Sequence, residues 1–289
     1  MQAVVFYLVY PIIYLIASLP FWALYKFSDL LFFVVWKFGY RKKVVFANLI
    51  NSFPEKSSKE IEFIAKEYYR FLADLTVETL KTMKMTKQEY AERCVFHLPD
   101  WLLKYQQEQQ SLVIVLGHYG NWEWGGPSFS INTRFKLVVP YMHLANAHFN
   151  TMVVNMRTRF GVELVKVDRI TRQMIANKDK LTATAFIADQ AAWAHTAYWT
   201  NFLNQQTPVF MGPEKLAVKF NYPVVYMSVK RIKRGFYEVR PELLFAYPQL
   251  TTETEISEAF TKRLEQDILK NPATWLWSHK RWKYKKIEQ

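Results

Sequence analysis

Apolar and polar residues follow two different periods along this chain, and the change from one to the other divides it. Ser57 and Glu60 stand at capping-box spacing, and Ile61, Ile64, Ala65, Tyr68, Phe71, Leu72 and Leu75 then recur at helical intervals. That predicts a long amphipathic helix. From Ser111 the strand-like runs SLVIVL, KLVVP, VELVKV and TATAFIA alternate with the helix-like stretches WEWGGPSF, 146–160 and RITRQMIANK. Strands separated by helices predict an α/β fold with a central mixed, partly parallel sheet flanked by helices. Further on, PEKLAVKF reads as a helix, PVVYMSVKRIKRGFYEVRPELL as two strands turning near Gly235, and 253–270 as a last helix before the aromatic, basic tail NPATWLWSHKRWKYKK. No internal repeat or low-complexity linker interrupts this order, so 44–289 reads as one compact domain.

The N-terminal stretch has no such period. Met1 to Tyr25 carries no charged side chain, and about 20 apolar residues suffice to cross the hydrocarbon core of a bilayer. A spanning anchor helix is the first expectation. Pro11 and Pro20 each remove a backbone donor, so a kinked or interfacial helix is the alternative. A cleaved signal is disfavoured, because no basic residue precedes the apolar run and no A-x-A site follows it. Lys26, Lys37, Arg41, Lys42 and Lys43 follow on its C-terminal side, which by the positive-inside rule places the rest of the chain on the cytoplasmic side. The segment LLFFVVW is too short to span and is expected to lie along the surface, so that 1–43 forms an anchor with a basic interfacial end. Deleting 1–25 is then expected to weaken membrane partition while sparing the core.

Composition sharpens the choice of partner. The formal net charge is +13, with ten Trp, seventeen Tyr and twenty-two Phe. A field of that sign attracts an anionic membrane surface, an acidic carrier protein or nucleic acid, and aromatic rings suit either a membrane interface or base stacking. One cysteine, Cys94, and six His provide neither a disulfide nor a Cys-rich zinc site. Cys94 reads as a small buried residue. With eight Gly and no phosphate-cradling loop, ATP and NAD are not expected, and no cofactor or metal is.

The candidate chemistry lies in GHYGNWEWGG, 117–126. His118 follows the strand-like SLVIVL directly, and ligands of open α/β folds gather at the carboxyl ends of strands. Asn121 can cap the next helix, which sets Glu123 in its first turn, where the helix dipole favours a carboxylate. Five residues apart on a continuous helix, His118 and Glu123 would point roughly 140° from each other. A turn at Gly120 removes that obstacle and lets Glu123 hold one imidazole nitrogen while the other faces substrate. With no serine in the pair, the nucleophile would be a substrate hydroxyl and His118 its general base. An isolated H-x4-E more often only caps a turn. Arg157, Arg159, Arg169 and Arg172 offer paired donors to a phosphate or sugar acid of the acceptor, Arg169 foremost, against the plainer reading of a solvated basic face.

The H-x4-E of His118 and Glu123 resembles the H-x4-D/E signature of glycerolipid and lipid A acyltransferases. Arg41 with N48-L-x3-F-P-E, GHYGNWE, FIADQ ending at Gln190, VFMGP around Gly212 and WLWSHKRWK from Trp275 resemble the late acyltransferases of lipid A biosynthesis over nearly the whole chain. The resemblance implies a glycerolipid acyltransferase-like fold. It also implies transfer of a fatty acyl chain, normally from acyl carrier protein, to a hydroxyl of a lipid A precursor. By it His118 is the base and Glu123 its charge partner, and Asp189 matches the D-Q pair and belongs in the pocket; Arg169, Arg157 and Asn121 are read from their own positions as further substrate contacts. The stretch after Gln190, AAWAHTAYWTNFLNQQTPVF, departs from the family pattern and leaves the acceptor open to a phospholipid, lysophospholipid or amino lipid. His279 of the tail motif reads as a packed interfacial residue rather than a phosphate contact. His97, His143, His148 and His195 have no partner spacing. A binding protein for nucleic acid would use the tail WSHKRWKYKK but would not need His118 and Glu123, so no nucleic-acid partner is expected.

Overall fold

A computed structural model describes residues 2–190 and 197–286. His195 and the other residues of AAWAHT, 191–196, at the start of the divergent stretch, lie outside the described residues. In chain order the helices and strands are α1 (Gln2–Ser18), α2 (Phe21–Phe38), α3 (Lys42–Ser52), α4 (Ser58–Lys81), α5 (Lys87–Arg93), β1 (Cys94–Phe96), α6 (Asp100–Gln107) and β2 (Leu112–Leu116). Then come α7 (Trp122–Asn132), β3 (Lys136–Tyr141), α8 (Ala147–Thr158), β4 (Glu163–Lys166), α9 (Ile170–Ala176) and β5 (Thr182–Ile187). The hairpin β6 (Tyr198–Phe202) and β7 (Gln205–Val209), then α10 (Gly212–Phe220), β8 (Val224–Lys233), β9 (Phe236–Phe245) and α11 (Glu255–Lys270) complete the order.

Among the described residues the main sheet has seven strands in the order β1-β9-β8-β2-β5-β3-β4. Every neighbouring pair is parallel except β8 with β9, which form the hairpin expected around Gly235. The mixed, mostly parallel sheet flanked by helices follows from the alternation of periods. All five residues of β2 are buried, as a strand covered by helices on both faces requires. The capping box forms as its spacing predicts: Ser57 accepts from Glu60 N, and the Glu60 carboxylate accepts from Ser57 N. Two elements carry too little pattern to be read in advance. β1 is three residues long and pairs at the sheet edge with β9, and the β6–β7 hairpin stands apart from the main sheet.

The N-terminal helices are where the expectation fails. No helix among the described residues is long and apolar enough to cross a membrane. Pro20 sits as the extended N-cap of α2 and divides the uncharged run, and α2 takes in LLFFVVW together with Lys26, Asp29 and Lys37. Pro11 is accommodated inside α1. Both helices pack on α4, burying Ala17, Leu24 and Ser28. Ser28 donates to Asp74 Oδ1 at 2.7 Å, and Tyr25 donates to Glu78 Oε1 at 2.8 Å. Arg231 of β8 reaches Asp74 Oδ2 at 2.6 Å, and Arg234 bonds both Asp74 and Asp29. Residues 2–25 are thus part of the packed body, and their removal would take the Tyr25 donor from Glu78.

This buried ion cluster generates a stability prediction. Asp74→Ala leaves the mostly buried Arg231 without its carboxylate and should cost about 3–5 kcal/mol, whereas Arg234→Ala, on a partly exposed guanidinium, should cost at most about 1 kcal/mol. Urea midpoints of the two variants against the parent chain check the order, and equal losses would remove the cluster from the account.

Candidate active site

Strand register builds the site before any side chain is considered. β2 and β5 are parallel neighbours paired Leu116 with Ile187, and Ala188 N continues the ladder to Leu116 O at 3.0 Å. His118 and Asp189 each lie two residues beyond that last pair, so they leave the sheet side by side. The Asp189 carboxylate then takes both ends of the histidine. His118 Nδ1–H donates to Oδ1 at 2.6 Å and His118 N to Oδ2 at 2.8 Å. Trp275 Nε1 donates to the same Oδ2 at 2.8 Å. Burial works against the charge on Asp189, but the neighbouring imidazole and these donors outweigh it and hold the carboxyl below its usual range. With Nδ1 so occupied, Nε2 faces outward, edge-on to Trp122 and 3.3 Å from the Gln190 amide.

Two glycines permit this packing. A Cβ on Gly117 would fall 2.6 Å from Leu264 of α11, and one on Gly120, at φ +62°, would meet the Val229 carbonyl at 1.7 Å. The turn at Gly120 therefore lets the chain pass against β8, and it does not bring Glu123 to the imidazole. Glu123 is instead paired with Arg157 of α8. Arg157 Nε donates to Oε2 at 3.0 Å, and Nη2 donates to Oε1. Burial opposes the Arg157 charge, yet Glu123 overcomes it and holds the guanidinium above its ordinary range. The expected His118–Glu123 contact is thus replaced by two pairs, His118–Asp189 and Glu123–Arg157. His118, Glu123 and Arg157 all line one cavity of about 590 Å³ at the carboxyl end of the sheet. The rest of its wall is mainly apolar, with Leu137, Leu164, Ile170, Phe186 and Met211 among the residues that form it.

The other positions expected at the substrate are distributed differently. Asn121 is the N-cap of α7, accepting from Trp124 N at 3.0 Å and donating to Glu78 Oε2 at 2.9 Å. It is fully buried, with both ends of its amide engaged, and supports the helix rather than facing the cavity. Asp189 stands behind His118 instead of lining the cavity. Arg169 and Arg172 are exposed; Arg169 lies between the cavity-lining Val167 and Ile170 but is not itself in the wall. Arg159 is turned away, donating to the Thr82 carbonyl. Cys94 is buried, and burial pushes its thiol up to about 12.

Sequence reasoning did not identify two supports of the site. Glu78, fully buried, gathers donors from Tyr25, Tyr237 and Asn121, and burial above all raises its carboxyl above the usual range. The tail motif closes the histidine turn from the other side. Tyr119 bridges Trp275, Leu276 N reaches His118 O at 3.1 Å, and Gly120 N reaches Thr274 O at 2.9 Å. Asn48 holds the motif through the Trp277 and His279 carbonyls at 2.8 and 3.0 Å, and Arg41 through the Ser278 carbonyl at 3.0 Å. The scattered motifs Arg41, Asn48, His118, Asp189 and 275–282 are thus one contact set.

His279 in this motif gives a pH prediction. Burial, reinforced by His118, Arg281 and Lys283 and opposed by Asp189, depresses its imidazole from 6.5 to about 4. The unfolded chain therefore takes up this proton first, so the stability that neutral His279 contributes above pH 6.5 is lost as pH falls from 6.5 to 4. Melting temperatures across that window should fall more steeply for the parent chain than for His279→Gln. Parallel curves would contradict the assignment.

No curated protein matches the chain. The family described as bacterial lipid A biosynthesis acyltransferase matches residues 1–284, a span that takes in the histidine turn, its orienting carboxylate, the glutamate–arginine pair and the tail that locks them. The chain therefore belongs to the bacterial lipid A biosynthesis acyltransferases and is an acyltransferase enzyme.

Proposed function

We propose that the protein transfers a fatty acyl chain from an acyl thioester, carried by acyl carrier protein, to a hydroxyl of a lipid A precursor, with His118 as general base. The observation that carries this reading is the outward Nε2 of an imidazole whose Nδ1 is held by Asp189 at 2.6 Å, placed in the wall of a mainly apolar cavity. A fixed tautomer leaves a lone pair on Nε2. An acceptor hydroxyl would take the place on Nε2 that the Gln190 amide now occupies. Its proton passes to Nε2 as its oxygen attacks the thioester carbonyl. The C–S bond then breaks, and the imidazolium returns the proton to the departing thiolate. Negative charge grows on the carbonyl oxygen during attack, and a guanidinium in the same cavity wall is a suitable stabiliser. Arg157 fills that role in this reading, and Glu123 orients it. The apolar wall holds the acyl chain, and the net charge of +13 draws both the acidic carrier and a phosphorylated acceptor.

The same reading places the protein on the cytoplasmic face of the inner membrane, lying in the interface rather than crossing it. The support is a row of outward apolar side chains on α1 and α2, including Leu8, Ile12, Leu15 and Phe33, with Trp22 74% and Phe38 80% exposed. They are followed by Arg41, Lys42 and Lys43 at the end nearest anionic headgroups.

Two outcomes are expected. His118→Ala and Asp189→Asn should each lower kcat by about 10²–10⁴-fold, and Glu123→Gln should lower it with the acceptor KM little changed. These values come from a direct assay with acyl carrier protein thioester as donor and either a lipid A precursor or a phospholipid as acceptor. Near-native turnover by His118→Ala removes the base, and acylation of the phospholipid alone reassigns the acceptor. In flotation with anionic vesicles, the parent should remain bound in high salt. Trp22→Glu with Phe38→Glu should reduce binding at least about tenfold, and equal flotation of both would exclude the interfacial face.

A further inference from the structure

The apolar wall of the cavity does not stop at its mouth. Among the residues that line it, Met142 is 82% exposed, Val167 47% and Phe210 44%. Leu144, next to the wall, is exposed as well. Strand register brings two of these segments together. β3 and β4 are parallel neighbours whose last pair is Tyr141 with Lys166, so 142–146 and 167–169 leave the carboxyl end of the sheet side by side. A pocket that takes its ligand from water keeps its large apolar side chains inside, whereas a patch of them carried out past the rim marks a surface that meets another apolar phase.

The surroundings of this rim say which phase. Along β4 and α9, Lys166, Arg169 and Arg172 are exposed beside a single exposed carboxylate, Asp168. On the β3 side the chain from Leu137 to Met156 contains no Asp, Glu, Lys or Arg. α8 begins within that stretch and there meets α1: Phe6 stacks on His148 with ring centroids 5.3 Å apart and turns its ring edgewise to Phe149 at 5.1 Å. Val4, Tyr7 and Leu8 of α1 are exposed. An uncharged surface thus continues from the outward face of α1, across the start of α8, to Met142 and Leu144, with cations along its β4 border. Such a surface fits a bilayer with anionic headgroups. An acidic carrier protein would need the cations at the centre of the contact, where Met142, Leu144 and Val167 stand.

We propose that the mouth of the cavity is itself seated in the interface of an anionic phospholipid bilayer, with the β3–α8 loop, 142–146, as a second membrane-contact element beside α1 and α2. This rests on the reading of α1 and α2 as an interfacial face. Lys166, Arg169 and Arg172 meet headgroup phosphates, and Met142, Leu144 and Val167 enter the acyl layer. A lipid acceptor then reaches His118 by lateral diffusion, and its acyl chains pass from the membrane to the apolar wall without crossing water.

The test places an environment-sensitive fluorophore on one introduced cysteine of the full chain, the native Cys94 being buried. Three positions are compared: Met142→Cys at the mouth, Leu8→Cys on α1, and Glu108→Cys, exposed near the amino end of β2 and so at the opposite end of the sheet. On anionic phospholipid vesicles carrying a nitroxide on the acyl chain, the Met142 and Leu8 labels should shift to shorter wavelength and be quenched at least about twofold, and the Glu108 label should not respond. A response at Leu8 with none at Met142 overturns the proposal and leaves α1 as the membrane face. If neither responds although the protein floats with the vesicles, the interfacial reading of α1 fails and the proposal with it. A response at Met142 without one at Leu8 supports the mouth as the contact and removes α1 from it. Acyl carrier protein added without vesicles should leave the Met142 label unchanged; a shift there makes the rim a docking face for acidic protein and overturns the proposal. Lys166→Glu with Arg169→Glu should weaken binding to anionic vesicles at least about tenfold and to zwitterionic vesicles by less than about twofold, and equal losses on both would remove the headgroup contacts from the proposal.

Discussion

The Asp189 carboxylate is the point on which the site turns. It sits just past a strand buried except at its last residue and is itself only 5% exposed, and its three hydrogen bonds among the described residues come from three sources: the backbone of the neighbouring strand end, the imidazole, and the indole of a residue 86 positions further along. A buried carboxylate is tolerated only when its lone pairs are filled. Each donor is therefore necessary to the fold. Gly117 has no room for a side chain because Leu264 and Asp189 occupy the space, and Trp275 must present its N–H edge, which aligns the rest of the tail motif with the histidine turn.

Much of this was legible in the sequence, and the part that was not has a physical reason. Helix and strand periods located the sheet because amphipathic burial is a local property of the chain. The histidine was found because it follows directly on a strand-like run, and Asn121 was found because helix capping is local. The partner of the imidazole was missed because strand adjacency is not local: β2 and β5 lie side by side although three helices and two strands separate them in the chain. A signal was present, since SLVIVLGH and TATAFIADQ each bring a titratable residue, His118 and Asp189, within two positions of the end of an apolar run. Using it requires knowing that the two strands are neighbours. Glu123 appeared a natural partner from its spacing, but the tight turn at Gly120 and the cation on α8 gave it a different one.

The N-terminal helices illustrate the opposite error, reading too much from composition. Twenty-five uncharged residues satisfy the length of a membrane span, but Pro20 divides them. Tyr25 and Ser28, polar groups in an apolar setting, find carboxylates on α4. These helices have two faces with different solvents. One is packed against the enzyme and carries buried hydrogen bonds, and the other is apolar and outward. Tyr25 shares the Glu78 carboxylate with Asn121, so the same buried group joins the outer helices to the cap of the helix that bears Glu123.

The locking of the histidine turn by 275–282 also bears on when the protein can become active. Synthesis delivers β2 and β5 before the tail, so the indole donor to Asp189 and the Asn48-bound backbone are the last parts of the site to be made. Contacts of such long sequence separation form late, after their loop-closure entropy has been met. Until residues 275–282 emerge, Asp189 lacks the Trp275 donor and the His118 carbonyl lacks its bond from Leu276. The order of translation alone thus delays assembly of the site until the surfaces that bury α1 and α2 have already been made.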